Sequence, residues 1–174
     1  MLAMIYVSSL GGLQATAALL PSFDLLTLLS PGAEPCDWNG LARERHVQLA
    51  FHDIVDITPD LIAPDAGVVR AILDFGRGAV GGRPMLIHCW AGISRSSAAA
   101  YVIACDRNPG YERAIADELR RRSLYVTPNK LMVKLADAIL GRDGRMNEAI
   151  ARIGRGAETA EGEPYQLPLR WPTV

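Results

Sequence analysis

Short apolar runs alternate with helical periods through the first half of the chain, and helical periods dominate the second half. Met4-Ile5-Tyr6-Val7 reads as a first strand, followed by Gly11-Gly12 and an alanine- and leucine-rich helix that ends before Pro21. Phe23–Leu29 reads as a second strand closed by Ser30-Pro31-Gly32, and residues 46–51 as a third. Between them, the segment through Pro35, Asp37, Asn39 and Gly40 has the composition of a loop. Residues 59–64 form a turn-rich connection in which Asp60 reads as a turn residue. Pro64-Asp65 then opens a helix with Val68, Ile72 and Phe75 on one face, ended by Gly76, Gly78, Gly81 and Gly82.

Residues 84–88 are the next apolar run, short enough for a strand, and residues 96–105 are rich in small residues and helix formers. Tyr111, Ile115 and Leu119 mark the face of a further helix. Leu131, Leu135 and Ile139 mark another, bounded by Thr127-Pro128 and Gly141, and a short helix is expected over residues 145–153. Early alternation followed by accumulated helices predicts an α/β fold, a mostly parallel central sheet flanked by helices, in one domain over residues 1–153. Residues 154–174, rich in Gly, Glu and Pro, are expected to form a flexible or surface-draped tail with Tyr165, Leu167, Leu169 and Trp171 as anchors.

Composition narrows the picture mainly by exclusion. At 174 residues, with 49% hydrophobic and 21% charged residues, the chain suits a single core. A formal net charge of −1 speaks against a nucleic-acid partner, and Arg120-Arg121-Arg122 reads as a solvated helix end. Pro21, Asp24 and Pro31 break the longest apolar stretch, so no membrane span is expected, and the first residues lack the basic segment of an export signal. Three cysteines, Cys36, Cys89 and Cys105, are too few and too uneven for a disulfide scaffold. A reducing, cytoplasmic setting is the expectation, with Cys36 and Cys105 as ordinary small apolar positions and His46 and His52 as strand residues.

The chemistry concentrates in His88-Cys89-Trp90-Ala91-Gly92-Ile93-Ser94-Arg95-Ser96, a loop of phosphate size between a strand and a helix. A helix N-terminus presents unpaired N–H groups and positive potential, which attract an anion and favour a thiolate over a thiol. A guanidinium at Arg95 can hold two phosphoryl oxygens at once and stays charged throughout a reaction. Gly92 lets the main chain bend close to an anion. A cysteine six positions before an arginine is weak as a pattern, but strand, His88, Gly92, Ser96 and helix all agree with it. Reading Cys89 as a buried small hydrophobe leaves Gly92 and Arg95-Ser96 unexplained.

HCWAGISRSS resembles the signature H-C-x-x-G-x-x-R-S/T of cysteine-dependent protein tyrosine phosphatases, with wording closest to the dual-specificity branch. Ile5-Tyr6-Val7-Ser8-Ser9 is similar to the opening strand of that branch, and Leu119-Arg120 with Pro128-Asn129 to its region after the loop, so the resemblance covers residues 4–140. It implies a protein tyrosine phosphatase-like fold and a phosphorylated protein substrate. Cys89 would be the nucleophile forming a cysteinyl-phosphate, Arg95 the phosphoryl binder and Ser96 the hydroxyl that helps the thiolate leave. His88 would support the loop, and backbone N–H groups of Trp90, Ala91, Gly92, Ile93, Ser94 and Arg95 would cradle the phosphate without metal or cofactor. The short chain implies a shallow pocket accepting phosphotyrosine, with phosphoserine and phosphothreonine as further candidates.

The family also needs a carboxylic acid upstream to protonate the leaving oxygen. Asp53 and Asp56 compete, 36 and 33 positions before Cys89 (89 − 53 and 89 − 56), and strand-end placement favours Asp53. Asn129 either positions a loop behind the site or caps a helix. For Trp90, beside a strand end, a core position is favoured over the pocket rim. A phosphoinositide or RNA 5′-phosphatase shares such a loop, but multiply charged substrates favour extra cations between Cys89 and Arg95, and there are none. A non-catalytic phosphate-binding module is the reading of another class, and the intact Cys89, Arg95 and candidate acids speak against it. The sequence leaves the oligomeric state open.

Overall fold

The computed structural model describes residues 3–33 and 40–172, so Cys36 and the expected loop through Pro35, Asp37 and Asn39 lie outside the described residues. In chain order the elements are β1 (Met4–Ser8), α1 (Leu13–Ala17), β2 (Phe23–Leu29), β3 (Arg43–Ala50), α2 (Ala66–Arg77), β4 (Met85–His88), α3 (Arg95–Arg107), α4 (Glu112–Arg122), α5 (Lys130–Leu140), α6 (Arg145–Ile153) and β5 (Tyr165–Pro168). The sheet runs β3-β2-β4-β1-β5. Its first four strands are parallel and β5 is antiparallel to β1, giving the mostly parallel sheet flanked by helices that the alternation predicts.

Side-chain alternation divides the core into two layers. Leu26, Leu28, Met85 and Ile87 face the larger cluster, which includes buried residues of α2 to α6. Phe23, Leu25 and Leu86 face the smaller one under α1. Because β2 and β4 are covered on both faces, they read as mostly apolar runs without alternation. The central helix α3 is buried from Arg95 through Cys105, which explains why it is rich in alanine and lacks a polar stripe. Gly76 of α2 packs so closely on it that a methyl group would lie 2.7 Å from Ile103 Cγ2.

A fully buried carboxylate sits within the sheet. Asp24, fully buried in β2, accepts from Arg45 Nη2 at 3.1 Å and Arg83 Nη1 at 3.0 Å, and Arg45 also donates to the Phe75 carbonyl at 2.7 Å. That pairing explains why β3 begins at Arg43 rather than at residue 46. Its polar start belongs to an edge strand whose arginine reaches a buried acid. The Arg120-Arg121-Arg122 run does close a helix: Arg121 and Arg122 pair with Glu118, while Arg120 donates to the Leu124 and Gly154 carbonyls at 2.9 and 2.8 Å.

The expected flexible or surface-draped tail keeps Tyr165, Leu167 and Leu169 as buried anchors but gains a strand. Residues 165–168 form β5, with Ile5 opposite Leu167 and Val7 opposite Tyr165, and the side chains of Tyr165, Leu167 and Leu169 are buried. Alternating apolar residues at 165, 167 and 169 outweigh the polar stretch before them, because pairing with β1 satisfies the backbone and buries that row. Leu167→Ala is therefore expected to destabilise the whole domain by about 2–5 kcal/mol, as for a core leucine. Urea unfolding checks this, and an unchanged midpoint would return the segment to the surface.

Candidate active site

Parallel strands deliver their carboxyl ends to one edge of the sheet, where reacting groups collect. There β4 ends at His88, Cys89 follows, and α3 begins at Arg95. Between them Gly92 adopts φ +71°, and an added Cβ would lie 2.7 Å from the Ser9 nitrogen, so the turn requires glycine. The Gly92 N–H points at Cys89 Sγ, 3.3 Å away, and Ser96 Oγ lies 3.1 Å from the same sulfur. Two donors and a helix N-terminus thus converge on one sulfur.

Arg95 is buried at 6% exposure and is held by its Nη1, which donates to Ser30 Oγ at 3.1 Å and to the Phe51 carbonyl at 2.8 Å. Its Nε is buried with no hydrogen-bond partner. An unpaired N–H on a charged group costs free energy unless a ligand completes it. Cys89, Arg95, Asp53 and Trp90 line one cavity of about 670 Å³.

Asp53 and not Asp56 lines this cavity, although both are exposed. Ser94 Oγ donates to Asp53 Oδ1 at 2.7 Å and Asn129 Nδ2 donates to the same oxygen at 2.8 Å. Asn129 fills both roles left open for it: its Oδ1 accepts from the Met132 N–H at the start of α5, while its amide holds the aspartate loop. Asp60, as expected of a turn residue, has φ +64°.

This chain is similar to the crystal structure of Tk-PTP in the active form, with a TM-score of 0.54 and 20% identity, covering 76% of this chain and 86% of that one. It is also similar to the crystal structure of PTPMT1, with a TM-score of 0.52 and 12% identity, covering 85% and 92%. The chain has a protein tyrosine phosphatase-like fold. No protein-family model matches it, and no curated protein sequence does.

Within this phosphatase-like fold the loop is braced from beneath by His88. Its Nδ1 lies 3.2 Å from the Cys89 carbonyl, which only accepts, so Nδ1 carries the proton. A neutral ring then presents Nε2 as an acceptor to Thr27 Oγ1 at 2.8 Å, and that hydroxyl accepts in turn from His46 Nε2 at 2.8 Å. Burial, outweighing the bond to the Cys89 carbonyl, lowers the His88 pKa to about 4. Burial and the nearby Arg43 lower that of His46 to about 4.

Two placements differ from expectation. Trp90 is 65% exposed and stands at the cavity rim rather than in the core, because the chain turns away from the sheet immediately after Cys89. Thr159 and Ala160, in the segment expected to be tail, line the same cavity. Nothing in their own composition marks them. The apolar row at 165, 167 and 169 was the available signal, since a segment entering the sheet beside β1 must pass the loop on its way. Tyr165 arrives with its hydroxyl buried, and burial together with the neighbouring Cys89 pushes its pKa well above the ordinary value.

Both histidines have folded-state pKa values below the unfolded 6.5, so the unfolded chain binds more protons between about 4 and 6.5. Their contribution to stability is complete above 6.5 and is lost as pH falls through 4. Thermal unfolding should show a midpoint that drops over this window, with a shallower drop in His88→Gln. A midpoint independent of pH in that range would contradict the neutral ring.

Proposed function

We propose that the chain is a cysteine-dependent phosphatase that hydrolyses phosphotyrosine in proteins, with phosphoserine and phosphothreonine as further substrates. The observation that carries this reading is Arg95, buried and with its Nε unpartnered, lining the same cavity as Cys89. A phosphoryl group has the charge and the oxygen spacing to complete that guanidinium. A reducing compartment such as the cytoplasm would keep the thiol usable.

In the first step the Cys89 thiolate attacks phosphorus, the S–P bond forms, and the bond to the leaving oxygen breaks. Asp53, protonated, gives that oxygen its proton, steered by the Ser94 and Asn129 bonds to Oδ1 that leave Oδ2 to carry it. Arg95 and the N–H groups of residues 90–95 hold the equatorial oxygens throughout. In the second step Asp53, now a carboxylate, takes a proton from water, whose oxygen attacks phosphorus. The S–P bond breaks, and the Ser96 hydroxyl, 3.1 Å from Sγ, stabilises the departing thiolate.

Release of phosphate from an aryl phosphate in the presence of a chelator tests the reading. Cys89→Ser should lower turnover by at least about a thousandfold. Asp53→Asn should lower it about 10²–10⁴-fold with a phosphotyrosine peptide and less with an activated aryl phosphate, whose leaving group needs no proton. Parallel assays with phosphoserine peptides and phosphoinositide vesicles rank the substrates. No Cys89-dependent release from any of them would overturn the assignment, and equal retention of both activities in Asp53→Asn would move the acid elsewhere.

A further inference from the structure

A loop that aims N–H groups at an anion turns carbonyl groups the other way, because the two lie on opposite sides of each trans peptide. Those outward carbonyls need donors of their own. Here Trp90 O accepts from the Leu10 N–H at 3.0 Å, Ile93 O from the Thr127 N–H at 3.1 Å, and Ser94 O from the Asn129 N–H at 3.2 Å. Ala91 O accepts from the Gly162 N–H at 2.8 Å. The same peptide unit carries the Gly92 N–H, which points at Cys89 Sγ. One residue of the segment 154–164, the strap that leads into β5, therefore sets the peptide that faces the sulfur.

The strap is itself fixed at several points. Ser9 Oγ donates to Glu161 Oε1 at 2.5 Å and accepts from the Gly12 N–H at 2.9 Å. Gly156 donates to Thr127 Oγ1 at 3.0 Å, and Ala157 to the Leu124 carbonyl at 2.8 Å. Gly162 lies so near the loop that an added Cβ would sit 3.2 Å from the Gly92 carbonyl oxygen. From there the chain enters β5.

The geometry points to Glu161 and Gly162 as positioning residues of the phosphate loop: anchored by Ser9, the strap holds the Ala91–Gly92 peptide so that its N–H faces the attacking sulfur. This rests on Cys89 being the nucleophile proposed above, and it adds a catalytic dependence on a segment outside the signature. The titratable and charged groups around Cys89 are Arg95 and Asp53, which line the same cavity, His88, whose ring bonds the Cys89 carbonyl, and Tyr165, whose buried hydroxyl senses Cys89, and the strap substitutions replace none of them. Glu161 is itself an anion, so by charge alone its removal would favour the thiolate. Loss of positioning has the opposite sign.

The test uses the full chain with Glu161→Ala, which removes the anchor, and Gly162→Pro, which removes the donor and also crowds the Gly92 carbonyl. Alkylation of Cys89 by iodoacetamide, followed by mass spectrometry of its peptide, should slow about tenfold at pH 6 and remain unchanged at pH 9. Turnover of an aryl phosphate at pH 6 should fall with it through kcat, with KM little changed. A pH 6 to pH 9 alkylation ratio equal to that of the unsubstituted chain in either folded variant would overturn the proposal. Faster alkylation at pH 6 in Glu161→Ala would overturn it too, assigning the carboxylate a charge effect. Loss of folding in both variants, read by circular dichroism, would make the strap a structural staple and overturn it as well. Alkylation needs no turnover, so an alkylating chain without phosphatase activity would defeat only the reading of function.

Discussion

The constraint on which this structure depends is that a main chain curled around an anion must be held from outside. The outward carbonyls of such a loop need donors whether or not an anion is bound. In this chain the donors come from the β1–α1 connection, the turn before α5, and the strap before β5. Each is remote in sequence from Cys89. The loop is therefore the meeting point of three segments that the α/β framework delivers to one edge of the sheet.

Burial sets how firmly they meet. Because α3 is enclosed from Arg95 through Cys105, the helix that presents its N-terminus to the cavity is fixed by the core itself. Beneath it, the Thr27–His88 bond ties the loop to β2 through a ring that burial keeps neutral. A charged imidazolium there would turn Nε2 into a second donor and leave the Thr27 hydroxyl accepting from both rings. The arrangement therefore favours an uncharged brace beneath the loop.

Much of this was legible in the chain where a local signal and a global requirement coincide. Residues 23–29 and 85–88 are mostly apolar because both faces of a central strand are covered, and residues 88–96 carry their candidate chemistry in consecutive positions. Asp53 was narrowed by its place after a strand. The Ser94 and Asn129 bonds that orient it depend on tertiary approach over 41 and 76 positions, which no local pattern encodes. The strap was misread for a related reason. Its glycines and acids look like solvated coil, and they make sense only once β1 and the loop are in place to receive their N–H groups.

The pairing of β2 with its neighbours also separates two tasks along one strand. Asp24, near its amino end, gathers Arg45 and Arg83 into a buried ionic knot, while Leu29, at its carboxyl end, borders the reactive cavity. A rigid, parallel sheet keeps these ends apart by its own length. A substitution in the cavity wall therefore lies too far from the ionic knot to share its partners, and the two ends of the strand should respond to change independently.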